Sequence, residues 1–145
     1  MQRSAGRGRG RRGIGDGGLG VGVGGERGAD EQQRGQGKEA IKILAKAGVK
    51  MGLGSDLLAE THYLQSDELR LRAEILGNGP VLQQATLIGA EILGQQGQLG
   101  EVTAGAIADI LLVDGNPLTD ITCLLNQGER IRAIAKDGVW VKNTL

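Results

Sequence analysis

The sequence contains few of the side chains from which catalytic sites and stable cores are usually built. It has no phenylalanine, one tyrosine and one tryptophan, so any core must consist of leucine, isoleucine, valine and alanine. The single cysteine, Cys123, excludes an internal disulfide and a thiolate metal site. It fits a reducing compartment, so we expect a cytoplasmic location. The single histidine, His62, leaves the sequence short of the ligands that a catalytic zinc usually has.

Charge and hydropathy exclude further classes of protein. Basic and acidic residues both number 17, and this balance gives no support for binding to nucleic acid or to an acidic partner. No apolar run approaches the roughly 20 residues of a membrane span, and no apolar segment follows the first arginines as it would in a secretory signal. We therefore expect no membrane association. The 145 residues suffice for one ordinary domain, but for only about half of a (β/α)8 barrel.

Residues 1–37 differ in composition from the rest of the chain and are dominated by glycine and arginine. Ordering so much glycine has a high cost in backbone entropy, and few apolar groups are available to offset it, so we predict a disordered segment. The stretch Gly13-Ile14-Gly15-Asp16-Gly17-Gly18 matches the dinucleotide-binding pattern G-x-G-x-x-G by letter. No strand precedes it and no apolar helix follows it, so that interpretation fails.

Two interpretations of the run Arg7-Gly8-Arg9-Gly10-Arg11-Arg12 are open. The run is similar to the Arg-Gly segments that bind RNA by charge and stacking, which would make the chain a Gly/Arg-rich RNA-binding protein. It is short, however, and contains no interleaved aromatic residues. The other interpretation is that a G- and C-rich gene has been translated in the wrong frame over residues 1–37. Composition alone is weak support for binding, so we favour the second interpretation.

The pattern from Lys38 onward predicts a helix followed by a strand and an aspartate. Apolar residues at helical spacing predict a helix over residues 38–47, which Gly48 ends. The stretch Val49-Lys50-Met51-Gly52-Leu53-Gly54-Ser55-Asp56 then reads as a short buried strand that enters a Gly-Ser-Asp turn. Reacting groups in α/β proteins commonly follow the carboxyl ends of strands, so Asp56 is a candidate catalytic residue. The alternative is that Asp56 only caps the next helix.

The remaining pattern predicts two more helices and then a β-rich segment. One helix follows Ser66 as its N-cap and extends to residue 76, and Pro80 opens a second, which ends near Gly94. Dense apolar stretches predict strands at residues 108–113, 131–135 and 139–141. The pair Asp137-Gly138 between the last two strands is a typical two-residue hairpin turn.

Three motifs in this order resemble the C-terminal part of the metal-dependent amidohydrolase superfamily, over about residues 37–145. They are Gly54-Ser55-Asp56, the helix Ala85-Thr86-Leu87-Ile88-Gly89-Ala90-Glu91-Ile92-Leu93-Gly94, and the stretch from Gly97 to Leu118 that contains Ala108-Asp109. The most similar subgroup includes imidazolonepropionase-like and Xaa-Pro-dipeptide-hydrolysing members. The resemblance implies that residues 38–95 form the last βα units of a TIM barrel. It also implies that residues 96–145 supply strands of a small terminal β-sandwich.

The resemblance also implies a reaction and its residues. In this family an aspartate after barrel strand eight binds a divalent metal, with zinc expected here, and accepts the proton of the attacking water. Asp56 matches that position. The implied reaction is hydrolysis of a C–N bond in a small amide or dipeptide-like substrate. The His-x-His pair and the later histidines of the family do not precede Asp56, so we expect this chain alone to bind no metal and to be inactive.

Other residues and other classes of function are weaker candidates. His62 follows Asp56 in the same loop, so it is a candidate for binding substrate, although a surface position is the simpler interpretation. We expect Asp109 to hold a backbone turn, and we interpret Glu60, Asp67, Glu68 and Glu74 as solvated helix faces. A non-catalytic interaction module remains an alternative to an enzyme. Such a module would cover its strand edges by forming an oligomer or by binding a larger subunit.

Overall fold

The computed structural model describes residues 24–145, with side chains described from Gly35 onward. The RNA-binding hypothesis for residues 7–12, and the disorder predicted for residues 1–23, lie outside the described residues. No helix in residues 24–145 is long and apolar enough to cross a bilayer.

Four helices form the first part of the fold. They are α1 (Gly24–Lys46), α2 (Asp67–Leu76), α3 (Asn78–Ala85) and α4 (Leu87–Ile92), with a 3₁₀ helix at Ala59–Leu64 before α2. Helix α1 confirms the predicted helix over residues 38–47 but begins earlier, at Gly24. The predicted boundary at residue 37 therefore lies within a helix. Glutamate, glutamine and arginine make up seven of the fourteen residues 24–37, and these residues favour a helix despite the glycines.

The predicted helix from Pro80 to Gly94 is divided at Thr86. The backbone of Thr86 has φ −126° and ψ −91°, which separates α3 from α4. The Thr86 hydroxyl donates to the Leu82 carbonyl at 2.7 Å, a local bond of the kind that competes with a regular helix. Periodicity did not predict this break because apolar residues continue through it. The predicted N-cap, Ser66, does precede α2, but its side chain makes no capping hydrogen bond.

A three-stranded antiparallel sheet forms the second part, in the order β1 (Ile110–Val113), β2 (Ile131–Lys136) and β3 (Val139–Asn143). All three strands were predicted from their apolar stretches. Asp137 and Gly138 join β2 to β3 with φ values of 50° and 76°. Two consecutive positive φ values are typical of the type I′ hairpin turn, so the predicted turn is confirmed.

Asp109 holds the beginning of β1 against this hairpin turn. Its carboxylate accepts a hydrogen bond from the Asp137 N–H at 2.8 Å and a second from the Lys136 ammonium. The Lys136 hydrogen bond, followed by the backbone bond, holds the pKa of Asp109 below the usual 3.8. The predicted structural role of Asp109 is confirmed. Trp140 on β3 is 52% exposed.

The hydrophobic core joins the helices to the connection between β1 and β2. Its buried centre consists of Leu69 on α2, Val81 on α3, Ile121 in a 3₁₀ helix at Ile121–Leu124, and Leu125 directly after that helix. Partly buried side chains pack around this centre: Leu53, Ala73, Leu76, Leu82 and Leu124. Because Leu53 is among them, the core also anchors the segment that leads to Asp56.

Candidate active site

The segment before Asp56 does not form the predicted strand. Residues 49–58 have no regular secondary structure, although the chain leaves α1 at Gly48 as expected. A strand requires a neighbour to bond its N–H and C=O groups, and no described strand lies beside this segment. The apolar pattern therefore predicted correctly that Leu53 is partly buried. It carries no information on whether a neighbouring strand is present.

Asp56 is exposed and lies in an unusual backbone conformation. Its φ of 51° is in the left-handed region, which aspartate tolerates better than most residues. Ala59, three residues further along, also has a positive φ of 41°. No described group forms a hydrogen bond or an ion pair with the Asp56 side chain. The carboxylate is therefore accessible to a ligand, and the capping alternative has no hydrogen bond to support it.

Helices α2 and α3 hold the chain four residues before Asp56. The Leu53 N–H donates to the Gln84 carbonyl at 3.3 Å, and the Gly52 carbonyl accepts a bond from Arg72 Nη1 at 3.0 Å. The same Nη1 atom donates to the side-chain oxygen of Gln84 at 2.9 Å. Both polar ends of the Gly52–Leu53 peptide unit are thus bound by residues from the helices.

The interpretation of Glu68 as a solvated residue is wrong. Its carboxylate accepts a hydrogen bond from Arg72 Nε at 2.5 Å, and the side chains of Arg72 and Glu68 are only 13% and 20% exposed. The spacing i, i+4 on a helix is the sequence feature that indicates this pair. The contact from Arg72 to Gly52 spans twenty residues, and no sequence pattern predicts it.

A large open cleft, of about 1060 Å³, lies between the helices and the sheet. Its lining is mainly apolar and includes Leu53, Leu69 and Leu82 on one side and Leu111, Ile131 and Ile134 on the other. Gly54, Ser55, His62 and Tyr63, which lie before and after Asp56 in the chain, also line it. The cleft is large enough for a small ligand or for further polypeptide.

His62 lies on the surface of the cleft. It is an exposed residue of the 3₁₀ helix at Ala59–Leu64, and it lines the cleft together with Ser55. Asp56 itself is not among the residues that line the cleft. The structure therefore brings His62 and Ser55 to one surface and leaves Asp56 beside it.

The described residues do not fit a complete metal site. No group of three histidine, cysteine, aspartate or glutamate side chains among them is arranged to hold a metal ion. A catalytic zinc usually has three protein ligands. The carboxylates of Asp56 and Glu60 and the imidazole of His62 lie in one segment, but they do not form such a group. Cys123 is fully buried in the core and is not available as a ligand.

Comparison with known proteins identifies the family. A sequence model described as "Amidohydrolase family" matches residues 27–141. The chain belongs to the amidohydrolase family. The expectation drawn from the three motifs is therefore confirmed.

Three related proteins illustrate the similarity. A prolidase solved in complex with N-methylphosphonate-L-proline is 51% identical, with a TM-score of 0.72 over 74% of this chain and 26% of that one. A Xaa-Pro dipeptidase with methionine bound in its active site is 27% identical, with a TM-score of 0.65 over 73% of this chain and 25% of that one. A 5-methylthioadenosine/S-adenosylhomocysteine deaminase from Acetivibrio thermocellus is 32% identical over 91 residues, which are 55% of this chain and 21% of the deaminase.

These matches also define how much of the family fold is present. The chain spans about a quarter of the length of the two solved structures and about a fifth of the deaminase. Within that span the helices and strands follow the amidohydrolase fold. The fold prediction is therefore confirmed as a mixed helix and strand arrangement that corresponds to part of an amidohydrolase.

Proposed function

We propose that this amidohydrolase chain contributes to hydrolysis of a C–N bond in a small amide or dipeptide-like substrate, and that Asp56 is its catalytic residue. The observation on which the proposal depends is the 51% identity to a prolidase that was solved with a phosphonate derivative of proline. The deaminase and dipeptidase named above are further relatives whose names describe action on C–N bonds.

The proposal assigns each part of the chain to a part of the family fold. Residues 38–95 correspond to the last βα units of the TIM barrel, with residues 49–53 as the final strand. Residues 96–145 correspond to strands of the terminal β-sandwich. Two observations support this assignment. Residues 49–53 have no described strand partner, and the apolar cleft between the helices and the sheet has room for further polypeptide.

Asp56 accepts and returns a proton in the proposed mechanism. Water that attacks an amide carbonyl must lose a proton, and the leaving amine must gain one before the C–N bond breaks. An exposed carboxylate with no bound partner suits both transfers, because it can meet the water and then the amine. His62 binds the substrate in the cleft, which Ser55 also lines.

A divalent metal, with zinc expected, belongs to the complete site and not to this chain alone. Such an ion would lower the pKa of the attacking water, with Asp56 as one of its ligands. The described residues supply too few ligands to hold it. We therefore propose that the isolated chain is inactive and that the remaining ligands come from polypeptide outside residues 24–145.

A non-catalytic interaction module is the second candidate. Val139, Trp140 and Val141 on β3 are all more than half exposed, and a partner would cover them. Size-exclusion chromatography separates the two candidates. The interaction module should elute as an oligomer, whereas a compact monomer would count against it.

A chimeric enzyme tests the catalytic proposal. Residues 38–145 would replace the matching segment of the 51%-identical prolidase, and hydrolysis of Xaa-Pro dipeptides would be measured with added zinc. Activity in the chimera supports the proposal. A folded chimera with no activity, beside an active parent prolidase, would contradict it.

A further inference from the structure

We propose that Arg72 is a positioning residue for Asp56. Its guanidinium group holds the Gly52–Leu53 peptide unit and so sets the direction in which the chain enters the Gly54-Ser55-Asp56 turn. The inference rests on the proposed catalytic role of Asp56.

The contact acts on the backbone, not on a side chain. Arg72 Nη1 donates to the Gly52 carbonyl at 3.0 Å, and the Leu53 N–H of the same peptide donates to the Gln84 carbonyl at 3.3 Å. A peptide unit is planar, so binding both its ends restrains its rotation as well as its position. Gly52 cannot supply this restraint itself, because glycine has the widest conformational freedom of any residue.

Arginine is suited to this position because three acceptors converge on it. Nε donates to Glu68, while Nη1 donates to Gly52 and to the Gln84 side chain. Gln84 is buried, and Arg72 is its only described side-chain partner. The amine of a lysine is a single point of charge and cannot occupy the positions of both guanidinium nitrogens. The arrangement therefore depends on the planar group and on the charge of Glu68.

The restraint reaches Asp56 through a short connection. Only Gly54 and Ser55 separate Leu53 from Asp56, and the left-handed φ of 51° at Asp56 redirects the chain there. A rotation of the Gly52–Leu53 peptide therefore moves the Asp56 carboxylate, which has no hydrogen bond of its own to resist the movement. A displacement of about 1 Å in a catalytic group can reduce a rate by about a hundredfold.

Nuclear magnetic resonance on the full chain tests the inference without an activity assay. Aspartate side chains are labelled with ¹³C at the carboxyl carbon, and the Asp56 signal is assigned from its loss in Asp56→Asn. In Arg72→Met we expect the Asp56 signal to shift and amide hydrogen exchange at Leu53 to accelerate about tenfold, as for the loss of one hydrogen bond. Arg72→Lys should shift the signal in the same direction by a smaller amount.

Two control variants separate positioning from general stability. Arg70→Met removes an arginine of the same helix whose bond goes to Glu74 on the surface, and the Asp56 signal should not move. Ala133→Gly lowers the stability of the sheet, where Ala133 is fully buried, but leaves the Arg72 contacts and the packing of Leu53 in place, and it should not move the signal either. If Arg72→Met does not fold, Arg72→Lys provides the comparison.

Two results would overturn the inference. One is an unchanged Asp56 signal in the folded Arg72 variants. The other is an equal shift in Ala133→Gly, which would show that any loss of stability moves Asp56. Neither result bears on whether Asp56 is catalytic, because that proposal is tested by the activity of the chimera. The two proposals can therefore fail separately.

Discussion

Gly100 lies directly against the backbone of Thr86, at the break between α3 and α4. A methyl group on Gly100 would lie 2.5 Å from the Thr86 carbonyl oxygen, and the Gly100 backbone has a φ of 82°. The break in the helix and the glycine therefore form one feature. The turn after α4 can approach the chain at Thr86 only because residue 100 has no side chain.

Substitution of Gly100 by alanine should destabilise the protein more than the same change at Gly105. Gly105 has a φ of 89°, but no atom lies within 4 Å of the added methyl group. Gly105→Ala should therefore lose only the roughly 1–2 kcal/mol of left-handed strain. Gly100→Ala adds a backbone clash and should lose clearly more. Urea unfolding of both variants measures the difference, and equal losses would show that the close approach at Thr86 is absent.

Leu69→Ala should remove a substantial part of the stability, because Leu69 belongs to the core that joins α2 and α3 to residues 121–125. The expected loss in the free energy of unfolding is about 2–5 kcal/mol. Leu58→Ala is the matched control, since that side chain is 77% exposed. Chemical denaturation monitored by circular dichroism measures the free energy of unfolding of both variants. A loss below about 1 kcal/mol for Leu69→Ala would contradict this description of the core.

Asp109→Asn should lower the melting temperature at neutral pH but not in strong acid. The pKa of Asp109 is lower in the folded protein than the usual 3.8, so its charged form stabilises the fold above that pH. This contribution declines as the pH falls below 3.8 and is lost below the folded pKa. Melting curves of the variant and the parent should therefore converge in acid. Asp114→Asn, which loses no described side-chain bond, should show no such trend.

Local patterns predicted most of the helices and strands of this fold, because those elements depend on nearby residues. The turn at Asp137 and Gly138 depends on two positive φ values, which that dipeptide favours. The apolar stretch before Asp56 was also sufficient to identify this aspartate as a candidate. The absence of a strand at residues 49–53 could not be predicted. A strand depends on a neighbouring strand, and the residues of the segment do not show whether one is present.

The contact between Arg72 and Gly52 shows a second limit of prediction from sequence. Helical spacing indicated that Arg72 could pair with Glu68, but the partner on the other side of the guanidinium is a backbone carbonyl. Carbonyl groups are the same in every residue and leave no pattern in the sequence. The position of His62 on the cleft beside Ser55 also depends on the packing of the helices against the sheet.

Zinc titration of the full chain should give no saturable binding at micromolar concentrations. The sequence has one histidine, and no described cluster of side chains has the ligands that a catalytic zinc requires. Isothermal titration calorimetry should give the same result for the parent chain, for Asp56→Asn and for His62→Ala. Stoichiometric binding that is lost in either variant would show that this chain holds a metal by itself.

The full chain should also hydrolyse no Xaa-Pro dipeptide, with or without added zinc. A single carboxylate can accept a proton, but it cannot replace the missing ligands and the rest of the substrate pocket. A chromatographic assay for released proline would detect slow turnover. Activity that depends on zinc and is lost in Asp56→Asn would contradict the proposal that the isolated chain is inactive.

The most direct test is the effect of Asp56→Asn in the chimera with the prolidase. If Asp56 accepts and returns the proton, kcat/KM should fall by about 10²–10⁴-fold. Glu60→Gln, which removes an exposed carboxylate in the same segment, should leave kcat/KM nearly unchanged. Comparable activity of Asp56→Asn and the unmodified chimera would contradict the account, because Asp56 would then have no part in the reaction.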